Sequence, residues 1–253
     1  MSAVLVLAVG ALIGAVLGGL GGGGAVLTVP ALLYLVGQNA REAVTGSLIV
    51  VGLTATIVLL PQARSRQVCW RSGGVLAASG AGTAALGSLV SPLIPPRVEL
   101  LALAVVMIAC GVGLLTRRRV PAEPAGALPT GGWPLARTIA VGAGVGFLTG
   151  LLGVGGGFLI VPALVLVLRM PIRRATGTSL LVTAVNCIAA LIPRLTDAQP
   201  DWPVLLPFTI AAIAGSLVGV KLARRASGPM LSRAFAALVL AVAGFTAVHT
   251  LAT

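Results

Sequence analysis

The chain has 253 residues, of which 58% are hydrophobic and only 9% are charged. Soluble domains carry about a quarter charged residues, so this composition excludes an ordinary soluble domain. The charged residues lie in short clusters between apolar runs of membrane-spanning length, and no polar–apolar alternation typical of outer-membrane barrel strands is present. The formal charge of +12 is therefore interpreted as arginines at the cytoplasmic face of a membrane protein, and not as a nucleic-acid surface.

The predicted elements fall into two halves with the same order: a membrane hairpin followed by three full transmembrane helices. In the first half, residues 1–116, the hairpin covers residues 2–36 and the spans cover residues 43–60, 73–94 and 100–116. A proline-rich cytoplasmic linker is predicted over residues 117–137. In the second half, residues 138–253, the hairpin covers residues 138–168 and the spans cover residues 175–192, 204–222 and 231–251.

The two hairpins carry the same motif. Residues 18–32 and 150–164 both read G-x-x-G-x-G-G-x₄-V-P-A-L, at an offset of 132 positions. The returning arm of each hairpin is about half as long as a bilayer core is thick. A glycine-broken apolar segment at corresponding positions of two halves indicates the binding site of a transporter.

The distribution of basic residues predicts the topology. If each hairpin begins and ends on one side and the N-terminus is outside, only Arg41, Arg97 and Arg194 remain outside, as the positive-inside rule requires. An eight-span arrangement gives almost no such bias. Each half then crosses the membrane an odd number of times, so we expect an all-α integral membrane protein with an inverted-topology repeat. Both termini are predicted to lie outside.

The glycine tips are the predicted binding site for a small anionic solute. Glycine permits close approach to a ligand, and the helix that follows each tip begins with backbone N–H groups that have no partner within the helix. A tight turn for close helix packing is the alternative. The predicted tip residues are Gly22, Gly23, Gly24, Gly155, Gly156 and Gly157.

Hydroxyl residues open the first full span of each half. Ser47, Thr178 and Ser179 are predicted to donate hydrogen bonds to the oxyanion, with helix capping as the alternative. Pro30 and Pro162 are predicted hinges, with a simple structural kink as the alternative.

Other small and polar residues have structural interpretations. The stripes at residues 10–18 and 142–150, with glycine at every fourth position, predict close helix packing. Thr54, Thr183 and Asn186 either face the same cavity as the tips or join helices. No spacing of His, Cys, Asp or Glu predicts a metal site, a cofactor or a catalytic set, so an enzyme is not expected.

The doubled glycine motif, together with the A-x₃-S-L segments at residues 43–48 and 175–180, resembles the sulfite exporter TauE/SafE family, also called the 4-toluene sulfonate uptake permease family. The resemblance covers nearly the whole chain. It implies movement of a small sulfur-containing oxyanion, such as sulfite or an organosulfonate, across a bacterial inner membrane, with export as the expected direction. In such a membrane the termini predicted to lie outside are periplasmic.

Two other functions remain open on the sequence alone. One is an anion channel with the same tips as its filter, and the other is a non-transporting membrane scaffold or accessory subunit. The sequence does not determine the substrate, the coupling ion or the oligomeric state. A homo-oligomer is one of the open alternatives. In the carrier hypothesis the halves, or the hairpins alone, rock to expose the bound anion to each side in turn.

Overall fold

The computed structural model describes residues 3–22, 24–116, 135–194, 200–226 and 228–252, and every regular element within them is helical. The bounds of the α-helices are α1 Ala3–Leu20, α2 Ala25–Pro30, α3 Ala40–Arg64, α4 Trp70–Val90, α5 Pro96–Thr116, α6 Leu135–Leu152, α7 Gly157–Pro162, α8 Ile172–Leu191, α9 Trp202–Arg225 and α10 Gly228–Ala252. Gly23 and residues 117–134 of the predicted linker lie outside the described residues. Helix α6 begins ahead of the predicted boundary at residue 138.

Seven of these helices are long and apolar enough to cross a membrane, namely α3, α4, α5, α6, α8, α9 and α10. The prediction of a helical membrane protein is confirmed, and each half contains the three long helices expected after its hairpin. Helix α6 has 18 residues, or about 27 Å of helix. The opening arm of the second hairpin is therefore long enough to span, whereas its returning arm is short.

Each returning arm changes its helical form directly after its proline. Helices α2 and α7 have six residues and end at Pro30 and Pro162. A five-residue π-helical turn follows in both cases, Ala31–Leu35 and Ala163–Val167. Proline lacks an N–H and its ring disturbs the preceding turn, so the α-helical hydrogen-bond ladder stops there and a wider turn continues the arm.

The most extensive helix contacts join one half of the chain to the other. Helix α1 packs on α9, α6 packs on α4, α5 packs on α10, and α3 and α8 pack on each other. Shifting the numbering by 132 residues exchanges α1 with α6 and α4 with α9, so the first two pairs are equivalent. The core is thus shared between the halves, and the packing has the same two-part repetition as the sequence.

The glycine stripes lie where these helices cross. A Cβ atom on Gly14 of α1 would overlap the carbonyl of Ala212 on α9, and one on Gly146 of α6 would overlap the carbonyl of Gly80 on α4. Backbones approach closely at both crossings because neither position has a side chain. The interpretation of the stripes as packing surfaces is confirmed.

Candidate functional site

The two glycine tips, residues 21–24 and 153–157, meet inside the protein. A Cβ atom placed on Gly157 would lie 2.6 Å from the Cα of Gly22 and 2.7 Å from its carbonyl oxygen. The backbones of the two tips are therefore in direct contact, and both residues are buried. The structure therefore brings together the two glycine tips that the repeated motif predicts.

The tips adopt a backbone conformation that requires glycine. The φ angles are +65° at Gly21, +95° at Gly22, +62° at Gly153, +66° at Gly155 and +65° at Gly156. Residues with a Cβ rarely adopt this left-handed region, because the side chain approaches its own backbone too closely. The glycines are thus needed for the shape of the turns, whatever the tips bind.

Two serine hydroxyls hold the tips. Ser47 on α3 donates a hydrogen bond to the carbonyl of Gly153, and Ser179 on α8 donates one to the carbonyl of Gly21 at 2.5 Å. Each hydroxyl also lies 2.8 Å from a carbonyl oxygen of its own helix. Both predicted residues therefore lie at the tips, and in this conformation their hydroxyls bind peptide carbonyls.

Thr178 lies away from these serine–tip contacts. Its hydroxyl accepts a hydrogen bond from the backbone N–H of Cys69 at 3.0 Å, directly before α4 begins. The side chain is completely buried. Thr178 thus joins α8 to the start of α4, while its neighbour Ser179 holds the first tip.

The second tip has a row of backbone donors without a recorded partner. Among the described residues, the structure records no acceptor for the N–H groups of Gly155, Gly156 and Gly157. In the first tip, the Gly22 N–H donates to the carbonyl of Leu17 at 3.0 Å, and Gly23 is not described. Buried N–H groups without a partner are rare in proteins, so three in succession indicate a place for an external acceptor.

A family model supplies the classification. The model of the sulfite exporter TauE/SafE family matches residues 6–246. The chain belongs to this family.

Curated relatives of this TauE/SafE member are named as transporters. A "Probable membrane transporter protein" of Xylella fastidiosa (strain 9a5c) is 36% identical, over 96% of this chain and 94% of the relative. One of the Temecula1 strain is 38% identical, with the same coverage. A "Probable membrane transporter protein YunE" of Bacillus subtilis is 25% identical over 89% of this chain and 90% of the relative. No solved structure matches the chain significantly.

Cys187 is a contact of the second tip that the sequence analysis does not identify. Its thiol lies 3.7 Å from the carbonyl of Gly155, and its side chain is 1% exposed. Val51 also contacts this tip, 2.6 Å from where a Cβ of Gly155 would be. Nothing in the sequence marks either residue, because only the packing of α3 on α8 brings them to the tip.

Three polar side chains further along α3 and α8 are buried. The amide oxygen of Asn186 lies 2.8 Å from where a Cβ of Gly80 would be, so Asn186 faces α4. The amide of Asn186 and the hydroxyls of Thr54 and Thr183 are buried without a hydrogen-bond partner among the described residues. For Asn186, the described contact fits the interpretation as a residue between helices.

The site of this TauE/SafE member is closed. The enclosed cavity next to the second tip has a volume of about 20 Å³, enough for about one water. Its walls are formed by Val29, Leu33, Val44, Glu99, Leu100, Leu103 and Leu152. A wider groove of about 480 Å³ at the end of α3 has no tip residue in its wall.

Within the described residues, no three His, Cys, Asp or Glu side chains group as metal ligands.

Proposed function

We propose that this protein is an inner-membrane exporter of a small sulfur-containing oxyanion, such as sulfite or an organosulfonate. Membership of the TauE/SafE family and the names of the relatives support a transporter. The chemistry of the second tip supports an anion. The solute binds at the meeting point of the two tips, and both termini face the periplasm.

The observation that carries the proposal is the row of unpaired N–H groups at Gly155, Gly156 and Gly157. A buried donor without an acceptor costs about 1–3 kcal/mol, and an oxyanion supplies acceptors for several donors at once. The positive end of the dipole of the following helix favours a negative charge at the same place. The first tip contributes Gly22, Gly23 and Gly24. Once the tips move, further donors are the hydroxyls of Ser47, Thr178 and Ser179.

The proposed topology is an inverted repeat. The pairing of α1 with α9 and of α4 with α6 repeats when the two halves are exchanged, which supports two structurally equivalent halves. The charge distribution supports their opposite orientation, because it leaves few arginines on the outer face. In this arrangement the two hairpins enter from opposite sides, and their tips meet within the membrane.

The solute requires the tips to separate, because Gly22 and Gly157 now touch. The halves share their helix contacts, so we assign the movement to the returning arms of the hairpins and not to whole halves. The π-helical turns after Pro30 and Pro162 are the proposed hinges. A proline removes one helical hydrogen bond at each, which makes bending there less costly.

Export of an anion needs no coupling ion in this proposal. One elementary charge moved across 100 mV is worth about 2.3 kcal/mol. A dianion leaving a negative interior gains about twice that amount, which supports a concentration ratio of more than about a thousandfold.

The test is ligand-dependent stability of the purified protein. Thermal unfolding is followed with sulfite, sulfate, thiosulfate or an alkyl sulfonate against chloride at equal ionic strength. A bound anion at about 100 times its Kd stabilises the protein by about 2.7 kcal/mol. We expect stabilisation by at least one sulfur oxyanion, and no stabilisation by chloride.

The paired variants are Gly157→Ala and Gly144→Ala. A Cβ at position 157 would press on the Gly22 backbone, whereas one at position 144 meets nothing within 4 Å. The proposal predicts that Gly157→Ala loses the stabilisation by the anion and that Gly144→Ala keeps it. It is refuted if no oxyanion stabilises the wild type, or if Gly157→Ala responds like the wild type. Counterflow in proteoliposomes then separates a carrier from a channel, since an open pore shows none.

A further inference from the structure

A single arginine joins three helices next to the second tip. The Nε of Arg194, just after α8, donates to the hydroxyl of Ser88 on α4 at 2.7 Å, and its Nη2 donates to the carbonyl of Gly150 on α6 at 2.9 Å. The Ser88 hydroxyl in turn donates to the carbonyl of Ala190 on α8 at 2.8 Å. The guanidinium is partly buried, and Ser88 and Gly150 are buried.

The contact between Arg194 and the Gly150 carbonyl lies directly before the second tip. Gly150 lies in the last turn of α6, which ends at Leu152 and leads directly into the tip at Gly153. Carbonyls in the last turn of a helix have no partner within the helix, and a cation is favoured at this negative end of the helix dipole. Arg194 therefore holds the end of the helix that carries the second tip.

Glu99 extends the cluster to α5. The hydroxyl of Ser91 donates to the carboxylate of Glu99 at 2.5 Å, and the charges of Glu99 and Arg194 attract each other. Glu99 also lines the small enclosed cavity, together with Leu152 at the end of α6. We call Arg194, Ser88, Ser91 and Glu99 the Arg194 cluster.

The other half lacks this cluster. At the offset of 132 positions, the glycine is kept as Gly18, but Arg194 corresponds to Gln62 and Glu99 corresponds to Leu231. Gln62 is buried, and its amide oxygen has no hydrogen-bond partner among the described residues. A charged cluster therefore fixes one hairpin, whereas a neutral amide occupies the corresponding place at the other.

We propose that Arg194 is a positioning residue that keeps the second tip closed toward the Arg194 face, the membrane face at which α8 ends. Access from that face requires the guanidinium to release the Gly150 carbonyl, so that the last turn of α6 no longer holds the second tip and the returning arm can move. The first half has Gln62 at the corresponding position and therefore no charged restraint of this kind. The proposal builds on the proposed transport function, but it concerns opening and does not depend on what the tips bind.

The chain contains its own reporter for this opening. Cys187 touches the carbonyl of Gly155 and is buried, so it reacts with a water-soluble thiol reagent only when a path to the tip is open. Replacing Cys69 and Cys110 with serine leaves Cys187 as the single thiol, because the chain has three cysteines. The membrane-impermeant reagent is added from one side at a time, without any transported solute.

The Arg194→Gln change gives the second half the side chain that the first half has at the corresponding position, Gln62. We expect Cys187 to react about ten times faster from the Arg194 face, equivalent to about 1.4 kcal/mol, and at an unchanged rate from the other face. Arg194→Lys keeps the cation and restores most of the slow rate. The matched control, Gln62→Leu, leaves reaction from the Arg194 face unchanged. Leu93→Cys, at a position that is 80% exposed, identifies the side on which the Arg194 face lies.

If Arg194 only stabilises the fold, the result is different. Its replacement then loosens the whole protein, and Cys187 reacts faster from both faces. That outcome refutes the proposal, and so does an unchanged reaction rate of Cys187 in Arg194→Gln. If Arg194→Gln does not fold, Ser88→Ala removes the Nε acceptor and the bond to the Ala190 carbonyl but leaves the contact with Gly150, and it must show a smaller acceleration on the same face alone. Because no anion is present, failure here is distinguishable from failure of the anion-binding proposal.

Discussion

The hydroxyl of Ser179 donates a hydrogen bond to the carbonyl of Gly21 at 2.5 Å. Ser47 makes the equivalent contact with Gly153, so the helix after each hairpin holds the tip of the other hairpin. The tips are thus fixed by contacts between the halves, and opening one tip breaks a bond to the opposite half.

Removing either serine hydroxyl should weaken the protein by a similar amount. We expect Ser47→Ala and Ser179→Ala each to lower the free energy of unfolding by about 1 kcal/mol, because each leaves a buried carbonyl short of a donor. The measurement is thermal unfolding in detergent. Ser216→Ala is the control, since Ser216 bonds only to a carbonyl of its own helix, and an equal loss there would contradict the assignment.

The helix crossings predict a sharp contrast between two glycines of α6. Gly146→Ala places a Cβ against the Gly80 carbonyl, whereas Gly144→Ala meets nothing within 4 Å. We expect the first to cost about 3 kcal/mol through overpacking and the second to be neutral or slightly stabilising, because alanine favours the helix. Gly14→Ala should behave like Gly146→Ala. Stability is measured by thermal unfolding. Equal stability of all three variants would contradict the close approach of the helix backbones at Gly14 and Gly146.

The hinge proposal concerns Pro30 and Pro162. Pro162→Ala restores an N–H that can close an α-helical bond, so we expect a stiffer returning arm, slower solute transport and equal or higher thermal stability. Anion binding should change little. Transport in proteoliposomes and thermal unfolding are measured on the same preparation. A wild-type transport rate in both Pro30→Ala and Pro162→Ala would remove the hinge role.

Voltage should drive the transport of a doubly charged solute. In proteoliposomes with a potassium diffusion potential, we expect efflux of a dianion from the negative side to increase with the potential, since each charge gains about 2.3 kcal/mol per 100 mV. A monovalent sulfonate should respond about half as strongly in free energy. Vesicles without protein are the control. Flux of a charged solute that does not change with voltage would contradict uncoupled export.

Much of the fold could be predicted from the doubled sequence. The glycines of the stripes, such as Gly14 and Gly146, specify close crossings by their spacing alone, and the long apolar runs specify the spans. The partner of Ser47 could not be predicted, because a hydroxyl at a helix start binds whichever carbonyl or solute the packing brings near. From the sequence, Arg194 is interpreted only as one of the few arginines on the outer face. The difference between Arg194 and Gln62, its counterpart in the first half, is the sequence feature that could have identified this arginine.

The sharing of helices between the halves also affects biosynthesis. Helix α1 leaves the ribosome first, but its packing surface is completed by α9, which begins at Trp202. Contacts so far apart in sequence form late. We expect the first hairpin to remain in the membrane without its partner until most of the chain has been inserted, and chains that stop before residue 202 to be degraded.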